Sequence, residues 1–78
     1  MHPGDIREVA VRGDGIRLGQ LLKLAGVVGG GGEVKELLGD RGVLVNGEVE
    51  VRRGRQLGGG DVVRVGDAEL RVVTHPDA

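Results

Sequence analysis

The clearest pattern in the chain is a short alternation interrupted by a turn. Val43 and Val45 alternate with Leu44 and Asn46, Val49 and Val51 alternate with Glu48 and Glu50, and Asn46-Gly47 stands between the two runs. Asparagine and glycine both accept positive φ, as the central residues of a type I′ turn require, so the stretch predicts a β-hairpin whose register is set by its turn. The hairpin leads directly into Arg52, Arg53 and Arg55, three arginines within four positions. A rigid ribbon ending in dense positive charge predicts a surface for polyanions.

The remaining elements follow from the same kind of pattern. From Asp5, Ile6, Val9 and Val11 interleave with Arg7, Glu8 and Arg12, which predicts a short strand ending at Gly13-Asp14-Gly15. The period then changes. Over Ile16 to Ala25, residues Leu18, Leu21, Leu22 and Ala25 follow the i, i+3, i+4, i+7 spacing of an amphipathic helix, with Gln20 and Lys23 off the apolar face and Gly26 as its stop. A second helix is predicted from about Glu33, with Val34, Leu37 and Leu38 on one face, Arg41 in its last turn and Gly42 as its breaker. After the arginines, Gly58-Gly59-Gly60-Asp61 predicts a turn, Val62 to Val65 a strand, Gly66-Asp67 a second tight turn, and Ala68 to Val73 a last strand. The fold class expected is α+β, a helical hairpin packed on a small, mostly antiparallel sheet. Residues 1–78 read as one domain, with tails at 1–4 and 74–78.

Composition narrows what such a fold can do. There is no Phe, Tyr or Trp, so the core is built from Val, Leu, Ile and Ala, and seventeen glycines add chain entropy that folding must overcome. With no cysteine there is no disulfide, thiol nucleophile or zinc-thiolate site. Serine is also missing, the only hydroxyl is Thr74, and His2 and His75 lie near the ends, so no nucleophile and oriented base can be assembled. The chain is therefore read as not an enzyme, with no cofactor and no metal. No apolar run approaches the roughly 18 residues of a membrane span, and residues 1–4 lack a signal-peptide pattern, so the cytoplasm is the expected location and a membrane is not an expected partner.

Net charge is −1, from eleven basic and twelve acidic side chains, so any anion binding must come from uneven placement of charge. The arginine run fits two readings about equally, a charged loop that guards a strand edge or a phosphate-binding cluster. Glu48 and Glu50 lie beside it and dilute its field. Lys23 and Lys35 say little alone, but join the same stripe if the helical hairpin stands beside the ribbon. The run Gly29-Gly30-Gly31-Gly32 lacks the Gly-Lys-Ser/Thr ending of a P-loop and reads as an interhelix connector. Without aromatic side chains, RNA recognition would rest on shape, phosphates and 2′-hydroxyls.

The order of two helices, Gly42-Val43-Leu44-Val45-Asn46-Gly47, a basic segment, Leu57 and Gly60-Asp61-Val62-Val63-Arg64-Val65 resembles the RNA-binding domain named after small-subunit ribosomal protein S-four, the alpha-L motif. More narrowly, Arg17 to Gly26, Gly31-Gly32-Glu33-Val34-Lys35 and Val49 to Arg55 are similar to the small stand-alone bacterial YbcJ-like members, with a motif core of about 17–65. The resemblance implies docking on structured ribosomal or transfer RNA, free or within ribosomal particles, and a monomer is expected. It carries a basic role to Lys23, Lys35, Arg52 and Arg53, and to Arg17 as the basic residue that opens the first helix in many wider-family members. Local charge density adds Arg55. Where many wider-family members begin the second helix with Ser-Arg this chain has Gly32-Glu33, and Gly30 stands where stand-alone members often carry Ser.

Two other classes compete. A protein-interaction module would use the sheet edge and Leu24. A sulfur-carrier-like β-grasp protein also opens on Val-Asn-Gly-Glu, but such proteins end in Gly-Gly, and this chain ends Pro76-Asp77-Ala78.

Overall fold

The computed structural model describes residues 5–29, 31–40 and 42–75. In chain order these form β1 (Asp5–Arg12), β2 (Gly15–Arg17), α1 (Leu18–Leu24), α2 (Gly31–Asp40), β3 (Val43–Val45), β4 (Glu48–Glu50), β5 (Gln56–Gly58), β6 (Val62–Val65) and β7 (Ala68–His75). Five strands share a sheet in the order β1-β7-β6-β3-β4, and β2 pairs with β5 in a separate ribbon. The expected α+β class, with two helices and a mostly antiparallel sheet, is the class observed. One ladder departs from antiparallel: β1 and β7 run parallel, from Asp5 opposite Ala68 to Arg12 opposite His75. Among the described residues, no helix is long and apolar enough to cross a membrane.

The helices bury the faces that their spacing predicts. Leu18, Leu21 and Leu22 of α1 are fully enclosed, and Val34 and Leu38 of α2 close the same core. Against them lie the inward side chains of the sheet, including Val9, Val45, Val63, Leu70 and Val72. Removing each such side chain from water is worth about 1.5–3 kcal/mol. Gly26 and Gly42 take positive φ just after α1 and α2, as expected of helix stops.

Several expectations are corrected. The first helix starts at Leu18 instead of Ile16, because Gly15, Ile16 and Arg17 pair with Gly58, Leu57 and Gln56. The strand β5 is absent from the periodicity, being three residues long and paired only with β2. The second helix starts at Gly31, so half of the glycine run is helical. At the end of the chain β7 continues through Thr74 and His75, the first two residues read as a tail, because β1 continues beside them. Residues 1–4, Gly30, Arg41 and 76–78 lie outside the described residues.

The hairpin forms as expected, with Asn46 at φ 52° and Gly47 at φ 86°. Its second arm is inverted relative to hydrophobicity. Glu50 is buried at 6% exposure, opposite buried Val43, while Val49 is 69% and Val51 57% exposed.

The Asn-Gly turn is clasped to the Gly-Asp turn before β6. The Asn46 backbone N–H donates to the Val62 carbonyl at 2.8 Å, and the Val62 N–H donates to Asn46 Oδ1 at 2.9 Å. Asn46 Nδ2 donates to Asp61 Oδ1 at 3.0 Å, and Asp61 Oδ2 accepts the Gly58 N–H at 2.8 Å. The Gly58 N–H, the Asn46 amide and, more weakly, the charge of Arg55 hold the Asp61 carboxyl below its ordinary pKa, against the opposing effect of burial. Asn46 and Asp61 thus tie three chain segments into one corner.

This corner is open to a double-mutant cycle. Asn46→Gly preserves the backbone conformation and deletes only the side-chain bonds, and Asp61→Ala deletes the acceptor. Each is expected to cost about 1–2 kcal/mol, lowering Tm by about 4–8 °C per kcal/mol. Because the two share one hydrogen bond, the double variant should lose less than the sum by roughly 0.5 kcal/mol or more. Thermal melts of the four proteins measure this, and strictly additive losses would contradict the clasp.

Candidate nucleic-acid interface

The loop Val51 to Arg55 joins β4 to β5, and its shape follows from the residue before it. A carboxylate at an inward-facing sheet position must be surrounded by donors if it is to stay charged. Glu50 finds them in the loop. Its Oε2 accepts the backbone N–H groups of Val51 at 3.1 Å and Arg52 at 3.0 Å, and the Arg52 Nε at 3.1 Å. Its Oε1 accepts Arg55 Nη1 at 2.9 Å and Arg52 Nη2 at 3.3 Å. These bonds, led by the Arg52 side chain, then the Arg52 backbone N–H and then Arg55, bring the Glu50 pKa from its usual 4.5 down to about 2, against the desolvation that opposes ionisation. The same pairing raises the pKa of Arg52.

With the loop wrapped around Glu50, its carbonyls serve α1. The Leu18 N–H donates to the Arg55 carbonyl at 2.9 Å, and the Gly19 N–H donates to the Arg53 carbonyl at 2.8 Å. The first residues of a helix lack intrahelical acceptors, and α1 has neither a side-chain cap at Arg17 nor an acidic residue in its first turn. The arginine loop therefore caps the helix. Gly19 permits the approach, since a Cβ there would stand 3.2 Å from Arg53 Cβ and 3.4 Å from the Arg53 carbonyl oxygen. At the other end of α1, Arg7 Nη1 donates to the Ala25 carbonyl at 2.7 Å.

The result is a groove of about 310 Å³ between the helices and the loop. Arg17, Gly19, Gln20 and Lys23 line it from the first helix and its entry, Val34 from the second, and Arg53 and Gly54 from the loop. Three cations and an amide meet there, with no carboxylate among the described lining residues. Of the six residues singled out in the sequence, Arg17, Lys23 and Arg53 come together in this groove. Arg52 and Arg55 are not among its lining residues and bond Glu50 instead, the side chain of Arg52 still 75% exposed. Lys35 is exposed on α2 and does not line the groove.

The acidic residues of α2 lie elsewhere. Glu33, Glu36 and Asp40 line a separate, more open depression together with Leu37. Glu33 also reaches back to accept the Gly29 N–H at 2.6 Å, so that amide of the glycine run is engaged by the chain itself. Sequence reasoning missed Gln20 and the part played by Glu50. The signals were present: a glycine inside an apolar helical face, and a carboxylate two and five residues ahead of two arginines.

The depressed pKa of Glu50 predicts a pH dependence. A carboxyl whose folded value lies below its unfolded value stabilises the fold above the unfolded pKa and loses that effect as pH falls through the folded one. The Tm difference between the parent protein and Glu50→Gln should therefore be constant above about pH 4.5 and close as pH falls toward about 2. Melts of both proteins across that window test the assignment; a gap independent of pH would remove it.

Comparison with known proteins agrees with the architecture. A family model described as S4 domain matches residues 9–73, from within β1 to within β7. The probable ribosome maturation protein RlbA of Bacillus subtilis (strain 168) is 54% identical over 50 residues, 64% of this chain and 70% of that protein. The match to the family model spans most of the sequence and nearly all of the described elements, and the chain belongs to the S4 domain family.

Proposed function

We propose that this protein is a non-catalytic module that binds structured RNA, ribosomal RNA first among the candidates, through the groove between α1, α2 and the arginine loop. The observation that carries the reading is the convergence of Arg17, Lys23 and Arg53 on one groove whose described lining includes no carboxylate. A guanidinium fork matches phosphate oxygens, and closely set cations suit a polyanion better than a small neutral ligand. In this reading the two helices and the adjoining ribbon form one RNA-facing surface, the alpha-L arrangement. Arg52, Arg55 and Lys35 flank it and add phosphate contacts at its margin. Membership of the S4 domain family and a relative named as a probable ribosome maturation protein support ribosomal RNA, or a ribosomal particle, over transfer RNA. In this reading the protein works in the cytoplasm, as a monomer, and needs no cofactor.

A second reading rests on the exposed Val49 of edge strand β4 and Val51 just after it, together with Leu24 at 58% exposure. These would suit a protein partner, and capture of that partner would then survive nuclease treatment.

Filter binding of end-labelled ribosomal RNA fragments across a salt series tests the first reading. With three or four phosphates neutralised, log affinity should fall against log salt with a slope of roughly −2 to −3. Arg53→Ala should weaken binding roughly tenfold, as for one lost charge-assisted contact, and reduce the slope by roughly 0.7. Lys35→Ala, outside the groove, should have a smaller effect. A flat salt response, or unchanged affinity after Arg17→Ala, Lys23→Ala and Arg53→Ala together, would overturn the proposal.

A further inference from the structure

We propose that Glu50, an acid beside the binding groove, is a positioning residue for RNA binding, so that removing its negative charge weakens the complex. The inference rests on the RNA reading above and goes against charge counting, by which a lost carboxylate should help a polyanion bind.

The geometry gives the reason. Glu50 is the shared acceptor for two backbone N–H groups and two guanidinium groups of the loop that follows it. Arg53 lies between the two arginines so anchored, and its own carbonyl is fixed on the Gly19 N–H of α1. The loop is therefore pinned on both sides of Arg53, from below by the carboxylate and from the flank by the helix. That pinning fixes, before any ligand arrives, the stretch of backbone that carries Arg53 into the lining it shares with Arg17 and Lys23. Binding a phosphate then costs little loop ordering, which is where preorganisation increases affinity.

A glutamine at this position has one acceptor oxygen in place of two and no charge, so it cannot serve the same set of donors. The loop would retain its two bonds to α1 and lose its anchor on the other side. Arg52 and Arg55 would be released as free cations at the same time. Positioning and charge counting therefore predict opposite signs for one substitution.

Glu48 supplies the control. It is on the same strand, exposed, and two residues from Glu50. Glu48→Gln and Glu50→Gln change net charge by the same amount. The RNA affinity of both, with end-labelled ribosomal RNA fragments as probe, should diverge. Glu48→Gln should bind as well as the parent or better, and Glu50→Gln roughly tenfold more weakly, on the scale of one lost charge-assisted contact. To separate positioning from stability, Val72→Ala, at a core position that is not among the groove-lining residues, should lower Tm while leaving affinity unchanged in the folded range. Without RNA, hydrogen exchange at the Leu18 and Gly19 amides should be faster in Glu50→Gln than in Val72→Ala, because those amides report on the loop carbonyls. If Glu50→Gln does not fold, Glu50→Asp, which keeps the charge and withdraws it by one methylene, should still weaken binding at unchanged net charge.

Tighter binding by Glu50→Gln, matching Glu48→Gln, or parent-like binding by Glu50→Asp would overturn the inference and leave the RNA reading intact. A parent protein that retains no RNA at low salt would overturn both.

Discussion

A carboxylate taken out of water must be surrounded by donors, and Glu50 draws all of its observed donors from the loop that follows it. That constraint propagates in one direction. Collecting the N–H groups of Val51 and Arg52 and the guanidiniums of Arg52 and Arg55 bends the loop, and the bend turns the Arg53 and Arg55 carbonyls toward α1. The helix is only seven residues long and has no side-chain cap, too short to be stable alone in water. It begins where the loop carbonyls meet it. Its apolar face, Leu18, Leu21 and Leu22, is then delivered to the core. A single buried charge thus links the ribbon, the start of a helix and the packing of the sheet.

The same arrangement reconciles a slightly negative chain with a positive groove. Charges are sorted by position. Glu50 is consumed under the loop, Glu33, Glu36 and Asp40 face a different depression, and the groove keeps Arg17, Lys23 and Arg53. Arginine is suited to the double role found here, because its planar fork can bond a carboxylate with one edge while another remains exposed. Arg52 shows this, bonded to Glu50 through Nε and Nη2 with its side chain largely in solvent.

Much of this architecture was legible where local chemistry dominates. The Asn46-Gly47 turn, the leucine spacing of α1 and the glycine stops are decided within a few residues, and the structure follows them. What could not be read depends on partners distant in sequence. Gly15-Ile16-Arg17 looks like the start of a helix because Ile16 extends the apolar run, yet Leu57 and Gln56 draw it into a ribbon. The inward Glu50 looks like a solvent-facing residue because alternation cannot tell which face is buried. For the candidate site, residue type singled out six basic side chains, of which Arg17, Lys23 and Arg53 line one groove, but it did not reveal the separate task given to Arg52 and Arg55. Two arginines at neighbouring positions look alike in sequence until the acid that claims one of them is located.

The parallel ladder between β1 and β7 also bears on how the chain is made. β1 is the first of the described strands to leave the ribosome, and its neighbour in the sheet is the last, since Asp5 pairs with Ala68 and Arg12 with His75. Local hairpins such as β3 to β4 and β6 to β7 can close as they emerge, but β1 must wait with Val9 and Val11 unshielded. Pairings between distant segments bear the larger loop-closure cost and form slowly. Synthesis therefore keeps the core incomplete until its final strand appears, and closure of the sheet becomes a step that follows translation of β7 and does not accompany translation of β1.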